Sequence, residues 1–202
     1  MTIEQHLFDE IYSFGKVVNT MNTAQKMIQN GDVNGNFLIL ATEQTNGKGR
    51  KSNQWLSPKG GLWSTMALYG LPLDSSLTIF TGVIIHKAIT DLYPKLTDRL
   101  KIKWPNDLMI DDKKVCGILT LHLGHKNYFL VGVGIDTNIT EFPPEIADIA
   151  TSLQVVCGVE INHETLLEKL FEIFADELPE FIESRLKNYL EYYKQHCFLK
   201  GK

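Results

Sequence analysis

The feature that most narrows the fold is a cluster of β-like segments in mid-chain, flanked by helical stretches. Residues 100–104, 115–123 and 128–135 are short apolar runs in quick succession, and runs bounded by turn residues predict strands. Asp111-Asp112, within 109–113, predicts a hairpin turn into the second run, and 121–128 predicts another through Gly124. Three further strands are predicted at 11–18, 37–42 and 62–69. A short helix is expected over 22–29, with Asn19 and Thr20 as caps. A second is expected over 76–92, where Leu77, Phe80, Ile84, Ala88 and Leu92 recur at helical spacing. A third helical stretch covers 163–193, with Pro179 bending or dividing it. Strands embedded among helices predict an α+β (or α/β) fold, a mixed β-sheet covered by helices.

The 202 residues show no internal repeat or low-complexity linker, so one domain over 1–202 is expected. A net charge of −4 and a pI near 5.9 argue against a nucleic-acid partner, which calls for a basic face. Basic residues crowd in one place, at Lys48, Arg50 and Lys51, and suit a small anion better than a DNA backbone. Cys116, Cys157 and Cys197 have no framework spacing, which predicts free thiols in a reducing cytosol. The first residues lack a continuous apolar h-region, so no signal peptide is expected. The longest apolar run, 79–85, is far short of the roughly 20 residues that span a membrane. A cytoplasmic location follows as the expectation.

Several common motifs are absent. Lys51-Ser52 follows Arg50 rather than Gly, so there is no P-loop. Gly132-Val-Gly134 begins like a dinucleotide fingerprint, but Thr137 replaces the third glycine, and the run reads as a strand that something approaches closely. No G-x-S-x-G elbow exists. His122 and His125 flank Gly124 in a turn without an intervening Glu, and a metal site there is not expected.

Two segments carry chemistry. In 45–54 no residue is apolar, and Gly47 and Gly49 leave N–H groups to face an oxyanion beside Lys48, Arg50 and Lys51. Arg50 can grip a phosphate or carboxylate in bidentate fashion, and Trp55 offers a face to stack on a base. A solvated basic turn is the competing reading of the same residues. The other segment is Lys103-Trp104-Pro105-Asn106-Asp107, a lysine at the end of an apolar strand followed by a fixed exit. It reads equally as a cleft lysine or as a surface turn.

Together these segments resemble the biotin–protein ligases, whose pattern includes G-R-G-R-R-G-R-x-W, K-W-P-N-D, K-x-x-G-I-L and G-x-G-x-N-x-N. This chain has Gly47 to Trp55, an unaltered Lys103 to Asp107, Lys114-Val-Cys-Gly117-Ile-Leu119 and Gly132 to Asn138, in that order. Thr20-Met21-Asn22 stands where the family has Ser-Thr-Asn, and Pro58 to Trp63 matches the turn after the glycine loop. The resemblance implies the biotin/lipoate ligase catalytic-domain fold. It implies ATP-dependent activation of biotin to biotinyl-5′-AMP, then transfer to a lysine of a biotin carboxyl carrier protein or domain.

It also implies roles. Thr20, Met21, Asn22 and Gln44 would line the biotin head, with Gly117 and Gly134 letting the sheet backbone approach its flat ring. Gly47, Lys48, Gly49 and Arg50 would close over the biotin carboxylate and the α-phosphate. Lys103 would bridge those two anions, and Lys103 and Arg50 are the catalytic pair. Lys48, Arg50, Lys51, Trp55, Asn106, Asp107, Lys114, Asp136 and Asn138 would serve ATP. Magnesium would arrive on the ATP phosphates, with Asp107 as the side chain able to join it. Ser52 and Asn53 replace a Gly and an Arg, Met21 removes a hydroxyl, and Asp136 replaces an Asn. Residues 1–18 are too few for the helix-turn-helix that some members carry, so a DNA-binding role is not expected; the small C-terminal β-barrel of longer members is expected to be absent or truncated after residue 198, and a homodimer stays open. A lipoate or octanoate enzyme on the same fold, or a degenerate biotin-binding module, are the alternatives.

Overall fold

The computed structural model describes residues 7–72 and 74–199. Eight strands form a mixed sheet with helices against it, and the chain divides into two compact units.

The first unit comprises residues 1–73 and 118–135. It holds β1 (Glu10–Val17), α1 (Thr20–Asn30), β2 (Phe37–Lys48), β3 (Gln54–Ser57), β4 (Leu62–Tyr69) and β8 (Tyr128–Ile135). Its hydrogen-bonded neighbours run β1-β2-β4-β8, with β3 on β2. β1 and β2 are parallel, joined by α1 as a crossover, and β2-β4 and β4-β8 are antiparallel. Asn19 caps α1 by accepting from the Asn22 N–H at 2.8 Å, and Gly31 closes it in the left-handed region. Met21, Ala24 and Ile28 form its buried stripe, packed with Phe37, Ile39, Ala67 and Leu130.

The second unit comprises residues 74–117 and 136–202. It holds α2 (Leu77–Leu92), β5 (Leu100–Lys103), β6 (Asp107–Ile110), α3 (Leu153–Cys157), α4 (His163–Ser184) and α5 (Leu190–Gln195). The remaining strand, β7 (Lys113–Leu123), gives 113–117 to this unit and 118–123 to the first. β5-β6 and β6-β7 are antiparallel hairpins. α2 is buried almost all round rather than on one stripe, with Thr81 and Thr90 hydroxyls donating to the carbonyls four residues back. Phe80 stacks on Phe181 at 4.3 Å and meets Phe174 and Tyr189 edge-on.

Four expectations are corrected. The apolar-free loop over 45–54 is largely hairpin, because β2 continues to Lys48 and pairs with β3 at Gly47↔Trp55 and Lys48↔Gln54. Backbone pairing needs no apolar side chain, so hydropathy hid it. The central cluster holds four strands, since β6 lies between the 100–104 and 115–123 runs. β7 runs on to Leu123, so the turn toward β8 starts there rather than at Leu121. Pro179 does not divide α4, which continues to Ser184 and stops at Arg185 with φ 57°. Phe181, packed on Phe80 beyond the proline, holds the last turn in place.

The predicted turn at Asp111-Asp112 is there, both residues at positive φ, as a two-residue hairpin requires. All three cysteines are free thiols. Among the described residues no helix is long and apolar enough to cross a membrane.

Candidate functional site

In the first unit the polar side chains gather where α1 starts. Gln44 Oε1 accepts from the Thr20 backbone N–H at 2.9 Å and the Thr20 hydroxyl at 3.3 Å. A backbone N–H can only donate, which fixes the amide's orientation. Gln44 Nε2 therefore faces Ser57 and donates to its hydroxyl at 2.7 Å, and that hydroxyl donates to the Trp55 carbonyl at 3.3 Å. At the other end the Thr65 hydroxyl donates to the Thr20 hydroxyl at 2.8 Å. Thr20, Ser57 and Thr65 are buried and Gln44 is half-buried, so the Thr65–Thr20 link is shielded from water and the others partly so. Thr20 and Gln44 were expected here; Ser57 and Thr65 were not. A hydroxyl at position 65, inside the buried strand 62–69, was the overlooked signal.

Met21 is buried in the α1 core stripe rather than offered to this network, with its Cε against Gly132. Asn22 is half-buried and its N–H is used by the Asn19 cap. The Asn19 side chain also donates to the Asn46 carbonyl at 3.1 Å, and the Asn46 N–H donates to Val18 O at 2.9 Å. These bonds tie the end of β2 to the start of α1.

The two glycines of the basic segment act differently from the expectation that both offer their N–H groups. Gly49 donates its N–H to Asn53 O at 2.7 Å, closing the hairpin tip. At Gly47 a Cβ would lie 2.4 Å from Trp55 O and 2.6 Å from Ser57 Oγ, so only glycine fits. Lys48, Arg50 and Lys51 all stand exposed at this tip, with Lys51 at φ 54°. Like charges so close, with no apolar anchor among them, make the tip suited to meeting an anion.

Trp55 is half-buried and packs edge-on against Trp63 at 6.4 Å. Its indole approaches β8 so closely that a Cβ at Gly134 would fall 2.7 Å from Nε1. The flat ring that approaches Gly134 within this structure is thus that of Trp55.

In the second unit, Lys103 to Asp107 is the β5–β6 turn, closed by the pair Lys103↔Asp107. The Trp104–Pro105 peptide is cis, Trp104 is exposed, and Lys103, Asn106 and Asp107 are half-buried. The Asp107 carboxylate forms an ion pair with Lys114 at 2.7 Å, and Asp107 faces Gly117 across the β6–β7 ladder. Asp136, whose N–H donates to Val115 O at 2.9 Å, carries a buried carboxyl. Burial pushes its pKa up to about 8, against the opposing pull of the Lys114 ammonium. At neutral pH Asp136 is therefore mostly a neutral acid. It substitutes electrically, not only sterically, for the neutral asparagine that the resemblance leads one to expect.

The Asn138 amide is bonded both ways to Ile161, accepting from its N–H at 2.8 Å and donating to its carbonyl at 2.9 Å. His122 stacks on Phe129 rather than joining His125. Among the described residues no three His, Cys, Asp or Glu side chains gather as a metal site.

Residues 14–138 match the Biotin/lipoate A/B protein ligase family, and the chain belongs to that family. Within it, the chain is 32% identical over 173 residues to the bifunctional ligase/repressor BirA of Bacillus subtilis, covering 81% of this chain and 52% of that one. It is 31% identical over 152 residues to the biotin–[acetyl-CoA-carboxylase] ligase of Paracoccus denitrificans, 71% of this chain and 63% of that one. The biotin protein ligase of Aquifex aeolicus, solved with biotin and ATP, superposes with a TM-score of 0.83 at 26% identity. That superposition covers 95% of this chain and 79% of the other. The chain spans about half the length of the Bacillus relative.

Proposed function

We propose that this chain is a cytoplasmic biotin–protein ligase: it activates biotin with ATP to biotinyl-5′-AMP and transfers the acyl group to a lysine of a carboxyl carrier protein. The observation that carries the reading is the unaltered Lys103 to Asp107 run, folded as a closed turn that ends a buried strand on a half-buried lysine. The relatives named as biotin ligases support it, as does the likeness to the Aquifex enzyme solved with both substrates.

In the first step a biotin carboxylate oxygen attacks the α-phosphorus and pyrophosphate leaves. Two anions must meet, and negative charge grows on the phosphoryl oxygens as they do. The Lys103 ammonium bridges the two, stabilising charge that develops in the transition state. Arg50, Lys48 and Lys51 at the hairpin tip add the second cationic group. Thr20 and Gln44 hold the ureido head, and Trp55, Asn106, Lys114, Asp136 and Asn138 serve the nucleotide. In the second step the acceptor lysine's amine attacks the acyl carbonyl and AMP leaves. Magnesium accompanies the triphosphate. Asp107, paired with Lys114, is the carboxylate that would join the metal, which would supply charge neutralisation on the phosphates.

Biotin-dependent exchange of labelled pyrophosphate into ATP tests the proposal, followed by label transfer to a carrier domain. Exchange with lipoate or octanoate but not biotin would overturn the substrate assignment. Exchange without transfer would leave a biotin-activating module.

A further inference from the structure

β5 has β6 on one side, and on its other edge it takes up a piece of the chain from beyond α5. Ile102 donates its N–H to His196 O at 2.9 Å, and Phe198 donates its N–H to Ile102 O at 2.9 Å. Ile102 and Cys197 thus form a parallel bridge, one residue before Lys103. Ile102 is buried, so strand alternation sends Lys103 to the opposite face. There its Nζ lies 5.4 Å from the centroid of the Phe198 ring.

The tail that carries Phe198 is held from behind. His86, buried on α2, bonds through Nε2 to Leu100 O at 3.1 Å and through Nδ1 to the Tyr192 hydroxyl at 2.9 Å. A carbonyl only accepts, so Nε2 carries the proton and Tyr192 donates to Nδ1. Burial first, and the neighbouring His196 second, lower the His86 pKa to about 4, which keeps this neutral tautomer at physiological pH. The His196 ring lies tilted against both, 4.4 Å from the His86 ring and 4.2 Å from the Tyr192 ring. Its Nδ1 lies 2.9 Å from Tyr192 O, and Cys197 Sγ lies 3.7 Å from the Tyr193 hydroxyl. One buried imidazole therefore ties β5 to α5, and the residues just past α5 return to β5.

We propose that Phe198 is a positioning residue for Lys103, its ring face fixing where the ammonium stands at the end of β5. A lysine carries about 2 kcal/mol of rotamer entropy, and a cation over an aromatic face gains about 0.5–1 kcal/mol at a partly exposed site. The ring narrows the lysine's choices without neutralising it, as a carboxylate partner would. That leaves the charge available to the two substrate anions. The catalytic consequence rests on Lys103 acting as proposed above; the contact itself does not.

Phe198→Leu removes the ring and keeps the backbone bonds, and Phe198→Tyr restores a ring. With ¹³C-labelled lysine, and the Lys103 signal assigned by its loss in Lys103→Arg, the wild-type ε-methylene should be shifted upfield by the ring current. That shift should vanish in Phe198→Leu and return in Phe198→Tyr. In single-turnover adenylation Phe198→Leu should lower kcat by about two- to fivefold, the equivalent of one such contact, with the KM for biotin unchanged. Phe198→Tyr should recover the rate. An unshifted wild-type lysine, or a rate untouched when the shift is lost, overturns the proposal. A KM change alone also overturns it, since it would mark a binding role. If wild-type protein shows no biotin-dependent turnover, the functional reading fails, and the lysine signal still decides whether Phe198 holds Lys103. Should leucine unsettle the tail, Phe198→Met, ringless and of similar bulk, is read in the same way.

Discussion

Two hairpin turns carry the cations expected to meet substrate anions, and they are built in opposite ways. The β2–β3 tip holds Lys48, Arg50 and Lys51, all exposed, between strand ends that are themselves polar. The β5–β6 turn holds Lys103 between Ile102 and Leu108, both buried, with Asp107 pinned by Lys114. A cation on an exposed polar tip is less restrained than one on a buried strand, so its charge is adaptable but costs entropy to use. A cation at the end of a buried strand is ordered before substrate arrives. One turn is suited to closing over a ligand and the other to waiting for it, and four experiments bear on that contrast.

The largest effect is expected at the fixed turn. Lys103→Ala should cut biotin-dependent pyrophosphate exchange by about 10²–10³, the usual loss for one preorganised charge at a developing oxyanion. Circular dichroism should be unchanged. Wild-type exchange in this variant would reduce Lys103 to a surface turn residue and erase the contrast.

Next comes the buried carboxyl of Asp136. Asp136 titrates near 8 when folded against an ordinary carboxylate value of 3.8, so between these the folded state holds a proton that the unfolded state has lost. Stability should therefore fall as pH rises through that window, by up to about 1.4 kcal/mol per pH unit. Asp136→Asn lacks this slope, so its advantage over wild type in urea denaturation should widen from pH 5 to pH 7. Parallel curves for the two proteins would mean that Asp136 ionises freely in the fold.

A smaller effect is expected from Thr65→Val, which keeps the shape and removes the first hydroxyl of the buried chain. One such bond is worth about 1 kcal/mol, so affinity for biotin, read by calorimetry, should weaken about fivefold. Unaltered affinity would separate this network from the ligand.

The smallest concerns the tip. Asn53→Arg adds a cation to it and should slow release of biotinyl-adenylate by about two- to fivefold, as for one exposed ion pair. Hydrogen exchange should show 49–53 fast in the free protein and slowed by biotin with ATP, while 100–110 is slow in both. Equal exchange at the two turns would remove the distinction between them.

The fold was legible wherever apolar residues recur. β1, β4, β8, α1 and α2 lie within a residue or two of their expected places because their apolar residues recur or run together between polar and turn residues. β3 has four residues, mostly exposed and held by ladder bonds, which leave no mark on hydropathy; β6 is a four-residue apolar strand overlapped by the turn expected over 109–113. α3 has five, too few for a helical period, and its cap at Ser152 and closing Gly158 were the only cues. The site was legible as a set of residue types but not as contacts. Gly134 reads as a place of close approach, yet nothing local says that the Trp55 indole is what approaches. Likewise Phe198 lies far from Lys103 in sequence, and only the sheet edge brings them together.

The bonded chain from Thr65 through Thr20 and Gln44 to Ser57 also has a direction, because the Thr20 N–H can only give a proton and the Trp55 carbonyl can only take one. Each group between is then assigned a sense, and what is left over can be counted. Among the described residues, Gln44 Oε1 already accepts twice, its Nε2 keeps one hydrogen, the Thr20 and Ser57 oxygens keep one lone pair each and the Thr65 oxygen keeps two. The remainder is one proton to give and four lone pairs to fill. A cyclic urea, one carbonyl oxygen flanked by two N–H groups, can take that proton and fill two of those lone pairs. A carboxylate or a dithiolane ring, which has no N–H to offer, fills none of them. Selectivity at the head group would then be a matter of parity in hydrogen-bond polarity, settled before any question of shape arises.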